Sequence, residues 1–360
     1  MRDSKITKKI FYSILYSAII TSLFVNFPLQ LLNAEDAEYS NAVQTNNMSH
    51  LQSNINHNDI EFNVAVASDW GCDDNAKATA KNIQSKNPEL VIAGGDASYD
   101  KSAECWFEII QPFKSKMKIA MGDHEYSDTS GGETGIINQY LKPLNLAKTY
   151  YSYDLNNAHF VFIDPYIDYE PGSAQYQFIE NDLKTASTNP NIDWRFVVET
   201  VPIYTSPSKH PAHSEIRDIY HPLFDKYGVD LVFSGDNHNY QRTFPLKYNN
   251  DDSSNPIVTN TKQVTHYNDD KNNQGVIYIV AGTAGRSHYQ FEGQAPYVVK
   301  QNSNNFGFVN MDINGKQMEV NFYPNSGAGE SKYQSVSYQS DSLDQFTISK
   351  VNPANDNKFR

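Results

Sequence analysis

Cysteine is nearly absent. The 360-residue chain has two, Cys72 and Cys105, too few for a disulfide-stapled scaffold or a Cys-based zinc module. Basic residues are also scarce: 29 Lys and Arg face 42 Asp and Glu, a formal charge of −13. That balance lacks the basic footprint of a nucleic-acid binder, so no nucleic-acid partner is expected. An anionic substrate would need a local positive centre, which a metal ion can supply. Apolar material is not lacking. With 24 Tyr, 19 Phe and 39% hydrophobic residues, the chain can bury a sizeable core.

No Lys or Arg occurs between Lys9 and Lys77. Lys5, Lys8 and Lys9 precede an apolar run from about Ile10 to Phe27, and Leu32-Asn33-Ala34 resembles a small-residue cleavage site. Residues 1–34 therefore read as an export signal or an N-terminal membrane anchor, which places the remainder outside the cytoplasm, secreted or held at the outer face. Residues 35–59 are rich in Asn, Ser and Gln and read as a linker. The linker contains Asn47-Met48-Ser49, an N-glycosylation triplet. In an oxidising compartment Cys72 and Cys105 either pair or stay free, and the sequence does not choose between them.

From residue 60 to 350 apolar, β-branched runs alternate with helical patterns. Strands are expected at Phe62–Ala67, Leu90–Ala93, Met117–Met121, His159–Ile163, Arg195–Val198, Val229–Phe233 and Val276–Ala281. Helices are expected at Ala76–Ser85, Ala103–Phe113, Ala174–Ala186 and Ser214–Tyr227. Asn156-Asn157 and Asn314-Gly315 sit where hairpins should turn, and Ser335–Tyr338 and Gln345–Ser349 close the set of strands. Residues 245–274, dense in Asn, Asp, Ser and Thr, read as a surface insertion. The layout predicts one α/β domain of two packed mixed β-sheets flanked by helices, followed by a tail at 351–360.

The strand tips carry the chemistry. Asp69 follows the first strand, Asp96 and Tyr99 the second, and Asp123 and His124 the third. Glu199 and Thr200 come later, then Asp236 and His238 in Gly-Asp-Asn-His. Singly, each is ordinary, because an Asp after a strand is commonly a helix cap or turn residue. Together, carboxylates converging on one sheet edge repel one another unless cations sit among them. His210 and His213 lie in the loop after Thr205-Ser206-Pro207, and one of them could reach the cluster as a metal or substrate contact.

The order of these motifs resembles the calcineurin-like metallophosphoesterase superfamily, most of all its purple acid phosphatase branch. Asp69-Trp70-Gly71 paired with Asp96-Ala97-Ser98-Tyr99 carries the branch-specific part. Gly282-Thr283-Ala284-Gly285 and Leu343-Asp344-Gln345-Phe346 extend the likeness to about residue 349. The resemblance implies a four-layer α/β/β/α sandwich. It implies Fe3+ held by Asp69, Tyr99 and His238, with Asp96 bridging to a second metal. His124 matches the histidine that contacts phosphate or protonates the leaving group. At the second position the chain departs from the family: Asp123 replaces Asn, and Thr200 and Asp236 replace His. Carboxylates and hydroxyls suit Mg, Mn or Ca better than Zn, so a hard divalent ion is expected there.

The activity implied is exported, acid phosphatase-like hydrolysis of small phosphate monoesters by a metal-bound hydroxide. The altered position keeps a second class open, a non-catalytic metal-binding or binding module. Hydrolysis of a diester or nucleotide is a third.

Overall fold

Strands buried on both faces set the architecture. In β1 (Glu61–Ala67), Val64 and Val66 point one way and Ala65 and Ala67 the other, and all four are buried. In β5 (Ala158–Phe162) and β6 (Trp194–Val198), Phe160, Phe162, Phe196 and Val198 join the same core as Val64, while Val161 and Val197 face away. Such strands need a second sheet on one face and helices on the other.

The computed structural model describes residues 60–127, 136–269, 274–325 and 342–350 and shows that arrangement. The first sheet adds β2 (Leu90–Ala93), β3 (Met117–Ile119), β11 (His266–Asn268), β14 (Gly307–Asn314), β15 (Gln317–Pro324) and β16 (Asp344–Ser349) to β1. Its order is β11-β16-β15-β14-β1-β2-β3. The second adds β4 (Tyr151–Leu155), β7 (Leu231–Ser234), β8 (Tyr240–Thr243), β12 (Ile277–Ala281) and β13 (Val298–Asn302), in the order β13-β8-β12-β7-β6-β5-β4. A small ladder joins β9 (Leu246–Lys247) to β10 (Ile257–Val258).

Helices α1 (Asp74–Lys86), α2 (Glu104–Ile110), α3 (Asp123–Ser127) and α4 (Ile137–Leu141) belong to the first sheet's outer layer, where Ile83, Trp106 and Tyr140 pack with Val91. Helices α5 (Ala174–Thr188) and α6 (Ser214–Tyr227) cover the second, packing Ile179, Leu183 and Phe224 onto Val161 and Val197. Strands β1, β2 and β3 are mutually parallel, as are β5, β6, β7 and β12. Within each set the C-terminal tips share an edge, where open α/β sheets build their sites.

The expected strands and helices that fall on described residues are present, and three departures from the expectation have clear causes. The helix expected over Ala103–Phe113 ends at Ile110 and continues as a 3-10 turn, Gln111–Lys116, because Pro112 has no amide to extend the α-helical ladder. The 245–274 segment is not purely insertion: β11 pairs parallel with β16 at the sheet edge, and Tyr267 is buried against Phe346. Strand β8 was missed because Tyr-Gln-Arg-Thr reads as polar, yet all four residues are buried. Arg242 donates to Asp344 twice, Nε to Oδ2 at 2.6 Å and Nη2 to Oδ1 at 2.9 Å, and Tyr240 adds a third bond at 2.8 Å. Arg242 is thus a structural partner and not a phosphate contact. The expected signal or anchor, linker, strand at Ser335–Tyr338 and tail lie outside the described residues. Among the described residues no helix is long and apolar enough to cross a membrane.

Cys72 and Cys105 form a disulfide, Cα to Cα 5.9 Å, joining the loop after β1 to α2. Cross-linking residues 33 apart removes loop entropy from the unfolded chain worth about 3–4 kcal/mol. A Cys72→Ala, Cys105→Ala variant should lose about that much in urea denaturation. A loss near zero would mean that the bond adds nothing to the fold.

A second test comes from His159 at the hairpin. Its Nδ1 lies 2.6 Å from Asp154 Oδ1 and its Nε2 2.9 Å from Asp182 Oδ2. Burial alone lowers its pKa, but the two carboxylates outweigh burial and raise it above the ordinary 6.5. The stabilisation is fully present below 6.5 and is lost as pH rises through the elevated value. His159→Gln should therefore cost most in mildly acidic urea titrations, on the order of 1.5–3 kcal/mol, and less in alkaline ones. A cost independent of pH would contradict the charged pairing.

Candidate metal centre

The cluster forms where β1, β2 and β7 stop in left-handed turns. Asp69, Asp96, Tyr99 and Asp236 have φ of 60°, 52°, 55° and 64°. Each such conformation costs non-glycine residues roughly 1–3 kcal/mol, so the surroundings must over-determine it. Glu125, fully buried in α3, does much of this: its carboxylate accepts from the amides of Asp96, Ala97 and Gly122 at 3.0, 2.9 and 2.8 Å. Gly122 must lack a side chain, because a Cβ there would lie 1.8 Å from Asp96 Oδ1.

Tyr99 Oη is the meeting point of the first position. It lies 2.9 Å from Asp69 Oδ1, 3.3 Å from Asp96 Oδ2 and 2.9 Å from His238 Nε2. His238 Nδ1 donates to the Ser287 carbonyl at 2.9 Å, which leaves the Nε2 lone pair facing the cluster. Burial pushes the His238 imidazole down to about 3, so it is neutral, as a ligand must be. Tyr289 stacks on it at 3.9 Å and 14°. Asp69 Oδ2 is buried without a hydrogen-bond partner. Burial, then Asp236, drives the Asp69 pKa up, and burial, then Asp69, drives up Asp96. A cation reverses that penalty. Hard carboxylate and phenol oxygens with one imidazole fit a trivalent or hard divalent ion.

The second position is looser. Asp96, Asp123 and His124 offer ligand atoms within 4.8 Å of one another. Asp236 Oδ2 lies 4.0 Å from His210 Nδ1. Asn237 holds the His210 backbone there, accepting from its amide at 3.0 Å and donating to its carbonyl at 2.8 Å. His213 is close enough to Asp236 for each to favour the other's charge. Thr200 is fully buried, and its hydroxyl proton goes to the Met121 carbonyl at 2.7 Å. His124 sits beside the first position, its ring centroid 4.0 Å from that of Tyr99.

Glu199 does not join the cluster. Strand alternation turns it toward the helix layer, where it is fully buried with neither oxygen bonded and is near enough to Tyr220 and Tyr278 to oppose their ionisation. Burial pushes its own pKa well up. His288 stacks on Phe306 at 4.1 Å, and Trp70 is a core residue bonded to the Ala67 carbonyl. Sequence reasoning missed Ser287 and Tyr289, which act through a carbonyl and a stacked ring. Glu125 was visible only as the last letter of Gly-Asp-His-Glu.

Two packed mixed sheets with oxygen and nitrogen donors gathered at the parallel strand tips are the arrangement of the metallophosphoesterase fold. The chain belongs to the calcineurin-like phosphoesterase family, in its purple acid phosphatase-like branch. Residues 62–240 match the calcineurin-like phosphoesterase model and 275–332 the iron/zinc purple acid phosphatase-like C-terminal model. It is 27% identical over 215 residues to probable purple acid phosphatase 20 of Arabidopsis thaliana, covering 54% of this chain and 50% of that protein. It is 29% identical over 269 residues to probable inactive purple acid phosphatase 24 of the same plant, covering 68% and 42%. The chain thus spans about half the length of the curated relatives it matches. In fold it is similar to purple acid phosphatase PPD1 from yellow lupin seeds, with a TM-score of 0.63 at 23% identity, over 81% of this chain and 54% of that one.

Proposed function

We propose that the protein is a metal-dependent phosphoesterase that hydrolyses small phosphate monoesters outside the cytoplasm. The observation that carries this is the convergence of Asp69, Asp96 and His238 on Tyr99 Oη. Asp69, Tyr99 and His238 would hold Fe3+, and Asp96 would be shared with a second site. Asp123 and Asp236 would hold a second, hard divalent ion, Mg, Mn or Ca in preference to Zn, with Thr200, His210 or His213 as further contacts. Bound there, metal ions supply Lewis acidity toward phosphoryl oxygens and activate the attacking water.

The chain's own residues do the rest. Ser287 fixes the His238 tautomer. Glu125 holds the Asp96 loop in its left-handed turn. His124, beside Tyr99, donates a proton to the leaving oxygen or a hydrogen bond to the developing charge. The Cys72–Cys105 bond supports an extracytoplasmic location, because such bonds persist in oxidising compartments.

A second reading, a non-catalytic metal-binding module, is favoured by the altered trio Asp123, Thr200 and Asp236. Turnover of an aryl phosphate monoester and of a diester, measured across added metals, separates the readings. Metal-dependent monoester turnover is expected. No metal-dependent turnover of either would favour the binding module, and faster diester turnover would make it a phosphodiesterase.

A further inference from the structure

We propose that Arg286 receives the phosphoryl oxygens of the substrate beside the first metal position, and so selects the phosphate of a monoester over that of a diester. This rests on the phosphoesterase reading above and deepens it. Arg286 follows β12 at the end of Gly282-Thr283-Ala284-Gly285. Its amide donates to the Asp69 carbonyl at 3.0 Å, and its guanidinium carbon lies 4.3 Å from the Tyr99 ring centroid. His124 lies against that same ring at 4.0 Å. The cation and the candidate proton donor thus both pack on the Tyr99 ring, whose hydroxyl is the meeting point of the first position.

Apart from the Tyr99 ring, nothing among the described residues engages this guanidinium. It has no hydrogen-bond or ion-pair partner there, and its Nε is buried and unbonded. The other arginines of the body are engaged: Arg195 Nε bonds Gly228 O at 2.8 Å, Arg217 Nη1 bonds Ile203 O at 3.3 Å, and Arg242 is paired with Asp344. Lys209, a cation of the neighbouring loop, has its Nζ on Tyr289 Oη at 3.0 Å. A buried, unmatched Nε–H is costly unless an acceptor arrives, and phosphate is the acceptor that a guanidinium edge fits.

The placement is built. Gly71 adopts φ +68°, and a Cβ there would lie 2.7 Å from Arg286 Cδ, so the side chain lies where it does because Gly71 is bare. The next residue, Ser287, fixes His238. One loop thus orients a ligand and presents the cation. A monoester phosphate has three terminal oxygens and roughly −1.5 to −2 charge, enough to serve a guanidinium fork and the metal positions together. A diester has one terminal oxygen and one charge fewer to offer.

The test measures binding of inorganic phosphate to the metal-loaded protein by calorimetry, for wild type, Arg286→Leu and Arg286→Lys. Arg286→Leu should weaken phosphate binding about ten- to hundredfold, the range for a charged hydrogen-bonding group, with metal content and absorption spectrum unchanged. Arg286→Lys should recover part of it, and the monoester KM should rise far more than the diester KM. Unchanged phosphate affinity at wild-type metal content would overturn the proposal. Equal KM rises for both esters would overturn the selectivity. Metal loss in both variants would make Arg286 a structural prop and overturn it too. Wild-type protein that takes up neither metal nor phosphate would instead remove the phosphoesterase reading, and this proposal with it.

Discussion

Tyr99→Phe is expected to bleach the iron-loaded protein while leaving its fold in place. A phenolate on a ferric ion absorbs visible light by charge transfer, and the change removes the single oxygen on which Asp69, Asp96 and His238 converge. Phenylalanine keeps the ring that packs with His124 and Arg286, so the loop retains its contacts. Iron affinity should fall at least by the ten- to hundredfold that changes behind a metal's ligands cost. Absorption, iron content and circular dichroism on the two proteins check this. Colourless wild-type protein with stoichiometric iron would remove Tyr99 from the ligand set. Zinc or manganese in that position would leave Tyr99 as a ligand without colour, so metal content is read alongside.

The second large effect concerns the altered position. The triple variant Asp123→Asn, Thr200→His, Asp236→His should move its preference from magnesium, manganese or calcium toward zinc. Asp69, Asp96, Asp123 and Asp236 with an ionised Tyr99 carry five negative charges, and the variant removes two. It also returns two imidazoles, whose nitrogen suits zinc better than a hydroxyl or carboxylate does. Residue 200 must then give up its bond to Met121 O, and the larger imidazole must fit beside Gly95, where even a Cβ would lie 2.5 Å from Thr200 Oγ1. Some stability should therefore be lost as selectivity shifts. Titrating each ion into iron-loaded protein and following binding and turnover gives the answer. An unchanged preference, or no second ion in either protein, would favour a single-metal centre.

What was legible in the sequence was what local pattern dictates. Asp69, Asp96, Asp123 and Asp236 could be placed because each ends an apolar run. The sandwich could be inferred because those runs recur with helical stretches between them. Tyr99 became a candidate ligand only through the family likeness, since a tyrosine three residues after an aspartate carries no metal signal alone. Arg286 and Ser287 were invisible because their contacts with Gly71, Tyr99 and His238 join segments far apart in the chain. The same holds for β8, whose polar side chains are buried because Asp344 arrives from β16, 102 residues on from Arg242. Glu199 shows the opposite case: it stands at a strand tip, yet the strand's alternation turns its side chain toward the helix layer.

Metal analysis of the protein purified without chelators tests the central claim, that the strand-tip cluster is a metal centre. The account predicts one iron per chain and a second, exchangeable magnesium, manganese or calcium ion, with the iron lost from Tyr99→Phe. Full-length folded protein that holds no metal, and takes up none when iron and divalent ions are supplied, would contradict it.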